Sequence, residues 1–341
     1  MPRTAVILLN YDNPSETAGC VQALLRSEVR PALVVVDNAS PNRSDIEAAI
    51  ADYPGAWALH SRTNGGFGKG NNIGLRWAMD RTEAEFFFVL NNDARVEPET
   101  IGLLEAALDA HPEAGAAAPR ITLLHRPDAL WYGPGLIRWW RGGAEVPGMY
   151  GPADTERALT PAWAGFVSGC AMLVRREALG DVGGFDPRFF MYEEDVELSL
   201  RLRAAGWKLR YEPAAVVRHL EQGSTRRPDE PHAPSYDVSN PNLPFLAYHH
   251  TRNRLLNMQI HYRQARGLDR LRLAVGFPAY WGAKAAQFLL HGRTDAVWAN
   301  GRGIRDFLRA RRLPFYDELS DGALTEAEVV RWSRVPAHGD L

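Results

Sequence analysis

Apolar residues in the first hundred positions come in short unbroken runs separated by amphipathic stretches. Ala5–Leu9, Leu33–Val36, Trp57–His60 and Phe86–Leu90 are the runs, and the last is apolar throughout. A continuous apolar run of this length predicts a strand buried on both faces. Between the runs, Ser15–Arg26 predicts a helix opened by a Ser15 cap behind Pro14, and a second helix is predicted near Asp45–Ala51. The Gly/Asn-rich segment Thr63–Gly74 predicts a flexible turn that leads into a helix running from Asn71 through Met79. Strands alternating with helices predict βαβ units, an α/β fold and a parallel sheet. Polar residues gather just after the runs, in Asp37-Asn38-Ala39-Ser40 and Asn91-Asn92-Asp93. In open α/β sheets ligands bind beyond the carboxyl ends of the strands, so this placement marks a candidate site.

The pattern weakens from Thr122 to Pro161, where Gly, Pro, Trp and Arg follow no period and a long loop is predicted. It returns with a strand over Phe166–Arg175, a helix over Glu194–Ala205 closed by Gly206, and strands at Trp207–Tyr211 and Ala215–His219. Arg226–Asn242 is Pro-rich and predicts a mobile connection. From Phe245 onward the chain is helical in pattern and basic. The organisation expected is a catalytic unit over residues 1–244 and a basic helical region over residues 245–341.

Composition narrows the classes. With 39 Lys and Arg against 41 Asp and Glu, the net charge of −2 gives no basis for nucleic-acid binding. Two cysteines make neither a disulfide framework nor a zinc site and fit a reducing, cytoplasmic setting. The apolar run at the N-terminus is too short for a signal peptide. Leu271–Leu290 is interrupted by Arg272, Pro278 and Lys284, which makes it a poor transmembrane span.

Three positions could carry chemistry. Asp93, at the end of a buried strand, is placed to hold Mg²⁺ or Mn²⁺, which take oxygen ligands and share substrate phosphates; its plainer role is in a turn. Glu193-Glu194-Asp195 opens a helix, where acidic residues complement the dipole, yet a carboxylate there could also act as a general base. His219 ends a strand, and a lone His is more often structural than a ligand. The segment Asn64–Asn72 fits neither G-x-G-x-x-G nor a Walker A motif, which disfavours dehydrogenases and P-loop ATPases.

Taken in order, Val6–Tyr11, Val34–Ser40, Asn64–Leu75, Val89–Asp93, Gly165–Arg175, Gly183–Arg203, His219–Ser224 and Tyr248–Leu255 resemble glycosyltransferase family 2, especially its bacterial rhamnosyltransferase-like members. The resemblance implies a GT-A fold, with a Rossmann-like nucleotide-binding sheet fused to an acceptor-binding half. It implies inverting, metal-dependent transfer from a nucleotide diphosphate sugar, dTDP-rhamnose by preference, to a hydroxyl of a glycan or lipid-linked saccharide in surface polysaccharide assembly. Asp37 matches the position that recognises the base. Asn10 and the Asn64–Asn71 loop, with Gly65 and Gly68, match positions lining the nucleoside, and Asn92 and Arg252 fall in donor-binding segments. Asp93 matches the metal carboxylate and His219 a second metal or diphosphate contact. Asp195 matches the catalytic base, with Glu194 as the alternative. Many members have Asp-x-Asp where this chain has Asn91-Asn92-Asp93, which leaves one carboxylate. A nucleotidyltransferase is the competing enzyme class, but it calls for a Gly-rich basic loop after the first strand, where Asn10-Tyr11-Asp12-Asn13-Pro14 stands instead. A non-catalytic carbohydrate-binding relative is the other alternative.

Arg252, Arg254, Arg263, Arg266, Arg270 and Arg272 precede an apolar-aromatic stretch with Phe277, Tyr280, Trp281, Phe288, Leu289 and Leu290. Two placements suit that pattern: an interfacial helix on the cytosolic face of a membrane, or packing on the catalytic unit or in a homodimer.

Overall fold

The structure, a computed structural model, describes residues 2–41, 44–221, 237–265, 267–313 and 329–334. The first half is laid down as β1 (Thr4–Asn10), α1 (Pro14–Leu25), β2 (Ala32–Asp37), α2 (Ser44–Ala49), β3 (Trp57–Ser61), α3 (Gly66–Arg81) and β4 (Phe86–Asn91). There follow β5 (Ala94–Val96), α4 (Thr100–Ala110), β6 (Ala114–Leu123), β7 (Arg126–Tyr132), β8 (Leu136–Arg138), β9 (Gly143–Glu145) and α5 (Glu156–Leu159). The remainder is β10 (Ala162–Trp163), β11 (Ala171–Arg175), α6 (Arg176–Val182), α7 (Glu194–Ala204), β12 (Lys208–His219), α8 (Leu243–His261), α9 (Leu268–Leu290), α10 (Thr294–Ala310) and β13 (Val329–Arg334).

One mixed sheet organises the molecule, in the order β10-β12-β6-β11-β4-β1-β2-β3-β13. The strands β4, β1, β2 and β3 are mutually parallel, and their apolar residues form the centre of the core. Antiparallel β11 joins them to β6 and β12, so the sheet passes without a break from a Rossmann-like half into a mixed half. Antiparallel β13 covers the edge of β3.

Several local expectations need correction. The first helix is capped by Asn13, whose side chain accepts from the Glu16 amide, and Pro14 rather than Ser15 opens it. α3 starts at Gly66, five residues before Asn71, so much of the expected turn is helix. Its start is held from outside, because Asn38 Oδ1 accepts from the Gly65 amide and Asn64 Oδ1 from the Gly66 amide. Gly66 has φ +79°, and a Cβ there would lie 1.9 Å from the Phe190 carbonyl oxygen; no other residue fits this crossing. The stretch from Thr122 to Pro161 is not a loop: it finishes β6 and builds β7, β8, β9 and α5. The strand expected over Phe166–Arg175 begins only at Ala171. The strands expected over Trp207–Tyr211 and Ala215–His219 merge into the single strand β12, which begins at Lys208 and whose register shifts between Glu212 and Val216, around Pro213. Most of Arg226–Asn242, with Gly223 and Ser224, lies outside the described residues.

α8, α9 and α10 share a small core of Leu243, Ala247, Phe288, Ala296 and Ala299. Side chains of α8 hydrogen-bond into the turn before α7. By contrast, the outer face of α9 is bare, with Leu271, Val275 and Leu290 at 62, 65 and 85 % exposure.

Candidate active site

A cavity of about 680 Å³ opens beyond the carboxyl ends of β1, β2 and β4, the position and size of a small-molecule site in an open α/β sheet. One end is formed by Tyr11, Asn38, Asn64 and Gly66. Asp93 and His219 lie along it with Glu194 and Asp195, and Arg141, His250 and Arg254 line it as well.

The first end is a shelf of short polar side chains. Asn38 donates to Asn64 Oδ1 at 2.9 Å and to the Gly66 carbonyl at 3.2 Å. Behind it Asp37 is fully buried and does not line the cavity. Its Oδ1 accepts from Asn10 at 3.0 Å and from the Ser40 hydroxyl, and its Oδ2 accepts from the Ser40 amide at 3.2 Å. Burial opposes its charge, but His60, Ser40 and Asn10 outweigh burial and hold the carboxyl below its ordinary range. In this arrangement Asp37 braces the shelf through Asn10 and Ser40. Asn10 extends the brace by accepting from Thr17 at 3.0 Å and from Asn92 at 3.4 Å. Three more residues expected in donor-binding segments are engaged within the protein. Gly68 packs on Phe185, Asn71 donates to the Phe67 carbonyl, and Arg252 donates to the Arg188 carbonyl and to Asn253. Gly65 shapes the shelf through its amide alone.

The end of β12 brings His219 Nε2 to 3.1 Å from Asp93 Oδ1, with the Asn91 amide nitrogen 3.4 Å from the same ring nitrogen. Burial disfavours a charged imidazole, but Asp93 and Cys170 outweigh it and hold His219 well above its ordinary value. Trp131 stacks edge-on against the ring at 4.5 Å, and Tyr150 donates to Glu221 at 2.6 Å. Among the described residues no cluster of three His, Cys, Asp or Glu stands ready for a metal. A carboxylate and an imidazole facing a cavity suit an ion that completes its shell with water and substrate oxygens, as Mg²⁺ and Mn²⁺ do. The donor set thus fits a substrate-shared cation.

Glu193, Glu194 and Asp195 are consecutive carboxyls split by their surroundings. Burial opposes the Glu193 charge, but Arg254 at 2.7 Å and His250 at 3.1 Å bring its pKa down to about 2. Burial pushes Glu194 well above the carboxylate range, the Asp195 charge adds to this, and its Oε2 has no hydrogen-bond partner. Burial raises Asp195 to about 6, against the pull of the Gly169 amide at 2.9 Å on Oδ2. Oδ1 accepts from the Val196 amide at 2.8 Å. Of the two neighbours Asp195 ionises first, because it holds two backbone N–H donors. The preceding turn is strained, with Tyr192 at φ +69° and Glu193 at +70°. α8 holds it: Asn253 donates to the carbonyls of Met191 and Tyr192 at 2.9 and 2.7 Å, and Asn257 to that of Glu193 at 3.0 Å.

A parallel sheet with a polar shelf, a carboxylate–imidazole pair and a carboxyl poised near 6 describes a transferase pocket. The sequence pattern described as Glycosyltransferase like family 2 matches residues 2–231. This chain belongs to glycosyltransferase family 2. Among the family's proteins, an N-acetylglucosaminyl-diphospho-decaprenol L-rhamnosyltransferase of Mycobacterium tuberculosis H37Rv is 34 % identical over 268 residues, covering 72 % of this chain and 84 % of its own. The fold is shared with solved structures, two among them as follows. GalNAc-T7 with UDP, GalNAc and Mn²⁺ has a TM-score of 0.56 at 15 % identity, over 76 % of this chain and 48 % of that one. A Pyrobaculum calidifontis mannosyltransferase in complex with GDP-Man and Mn²⁺ has a TM-score of 0.52 at 13 % identity, over 91 % and 86 %. The GT-A fold implied by the sequence is the fold of the chain, the chain is a glycosyltransferase, and the nucleotidyltransferase alternative falls.

Sequence reasoning missed Trp131, Arg141 and Tyr150, which come from the stretch taken for a loop. It also missed Glu193 as the partner of His250 and Arg254, although Arg254 stands in the Tyr248–Leu255 segment.

Proposed function

We propose that this glycosyltransferase moves L-rhamnose from dTDP-rhamnose, with inversion, onto a hydroxyl of a diphosphate-linked saccharide carried on a lipid, in cell-wall or surface polysaccharide assembly. The observation that carries the reading is Asp195, a buried carboxyl raised to about 6 and aimed by the Gly169 amide in the cavity that also holds Asp93 and His219. The rhamnosyltransferase relative supports the sugar and the acceptor class.

In this scheme the shelf of Asn38 and Asn64 seats the nucleoside, braced from behind by Asp37 and Asn10. Asp195 accepts the proton of the acceptor hydroxyl as its oxygen bonds to the anomeric carbon, while the bond from that carbon to the diphosphate breaks. The nucleoside diphosphate leaves from the opposite face, so one displacement inverts the centre. Asp93 and His219 would hold a divalent cation whose charge neutralises the leaving diphosphate. No helix among the described residues is long and apolar enough to cross a membrane. We place the bare apolar face of α9 on the lipid surface that carries such an acceptor.

A thermal-shift series with dTDP-, UDP- and GDP-sugars, with Mg²⁺ or Mn²⁺ and with EDTA, paired with a transfer assay, tests the reading. A donor present at about 100 times its Kd stabilises the fold by about 2.7 kcal/mol. The dTDP-sugar should raise the midpoint most, and EDTA should stop transfer. Strongest stabilisation by a GDP-sugar would sink the donor assignment, and full turnover in excess EDTA the metal role.

A further inference from the structure

Of the two arginines lining the cavity, Arg254 is bound by Glu193 at 2.7 Å. Arg141 is bound by no carboxylate among the described residues, and its Nε is buried without a hydrogen-bond partner. Two of the carboxylates that line the cavity with it are already engaged: Glu145 accepts from Arg138 at 2.8 Å, and Glu193 from Arg254 and His250. The Arg141 guanidinium stands 5.2 Å from the Tyr280 ring centre, on a three-residue turn that packs against α9 through Trp140 and Tyr280. Its neighbours thus come from α8 and α9, whereas the shelf is built at the ends of β1–β3.

Tyr280 reports the local field. Burial should raise its pKa, yet Arg254, Arg141 and Lys284 draw it below its ordinary value. His250 is likewise pushed down, by burial first and by Arg254 and Arg141 besides. Two guanidinium groups thus line this cavity, one of them with a buried Nε–H that nothing among the described residues accepts, and a guanidinium matches the geometry of phosphate oxygens.

We infer that Arg141, with Arg254 behind it, binds the phosphate oxygens of an anionic acceptor, a saccharide joined through a diphosphate to its carrier. The inference rests on the glycosyl-transfer reading and names the group by which that acceptor is recognised. The donor also carries a diphosphate, which the proposed function assigns to Asp93 and His219, so the test must tell the two diphosphates apart.

Calorimetry separates the two sources, with the donor site first filled by the nucleoside diphosphate that stabilises the protein best. The titrants are N-acetylglucosaminyl diphosphate on a short prenyl chain, and the neutral octyl glycoside of the same sugar. Arg141→Gln should weaken the diphosphate ligand about 10- to 100-fold, leave the neutral ligand and the nucleotide at wild-type affinity, and be partly rescued by Arg141→Lys. Equal weakening of both titrants would mean a packing role. A loss confined to the nucleotide would move Arg141 to the donor diphosphate. Either result, or no binding of the diphosphate ligand to the wild type, overturns the inference. Failure of the transferase reading itself shows separately, as no stabilisation by any nucleotide.

Discussion

At the scale of single residues, three adjacent carboxyls are given three states by what touches them. Glu193 is held ionised by Arg254 and His250, Glu194 is pushed toward the neutral form, and Asp195 is poised near 6. A general base must be ionised to accept a proton, so kcat/KM should rise with pH through about 6 and level off above it. Asp195→Asn keeps the shape and removes the base. It should lower kcat by about 10² to 10⁴ while nucleotide affinity persists; turnover within about tenfold of wild type would falsify the assignment. The acidic trio was legible in the sequence as a candidate, but its division of labour was not. That division comes from Arg254 and His250, some 60 positions further on, which hold Glu193, and from the Gly169 and Val196 amides, which favour ionisation of Asp195 over Glu194. Asp37 shows the opposite case: its motif is plain in the sequence, but the contacts of its side chain with Asn10 and Ser40 are not.

Among elements, the apolar strands were the most legible, since β1, β2 and β4 have no solvent-facing side to break the run. The start of α3 was hidden because Asn38, on another segment, supplies part of its cap. β8 and β9 were hidden because three residues each are too few to show a period. The helix α8 has the least expected task, which is to staple the turn ahead of α7. Asn253 is fully buried and satisfies two carbonyls there. Asn253→Ala should therefore cost about 2 kcal/mol in urea unfolding, since buried carbonyls lose their partner. It should also depress kcat more than donor KM, because the turn aims Asp195. A stability change under about 0.5 kcal/mol, the range of a plain surface substitution, would show that the staple is idle.

For the whole molecule, the proposed lipid contact falls to the C-terminal helices. The six arginines singled out in the sequence do not act together: Arg254 is buried in the catalytic unit, Arg252 is turned toward Arg188, and Arg266 lies outside the described residues. What faces outward on α9 is an apolar stripe including Leu268, Leu271, Val275, Leu289 and Leu290, beside exposed Arg270 and Arg272. Anionic liposomes should therefore sediment the protein, and Leu289→Asp with Leu290→Asp should release it, as burying apolar surface drives such binding. Co-sedimentation unchanged in that double variant would argue against the lipid face. The strand β13 carries a different consequence, one of timing. It pairs with β3, which lies near the other end of the chain. During synthesis the parallel half of the sheet is thus made with that flank open, its backbone amides and carbonyls bare, until roughly 270 further residues have emerged. Pairing between such distant segments is slow to close, and an open flank is a template for a stray strand. The growing chain is most exposed to misassociation in the interval before its own late strand arrives.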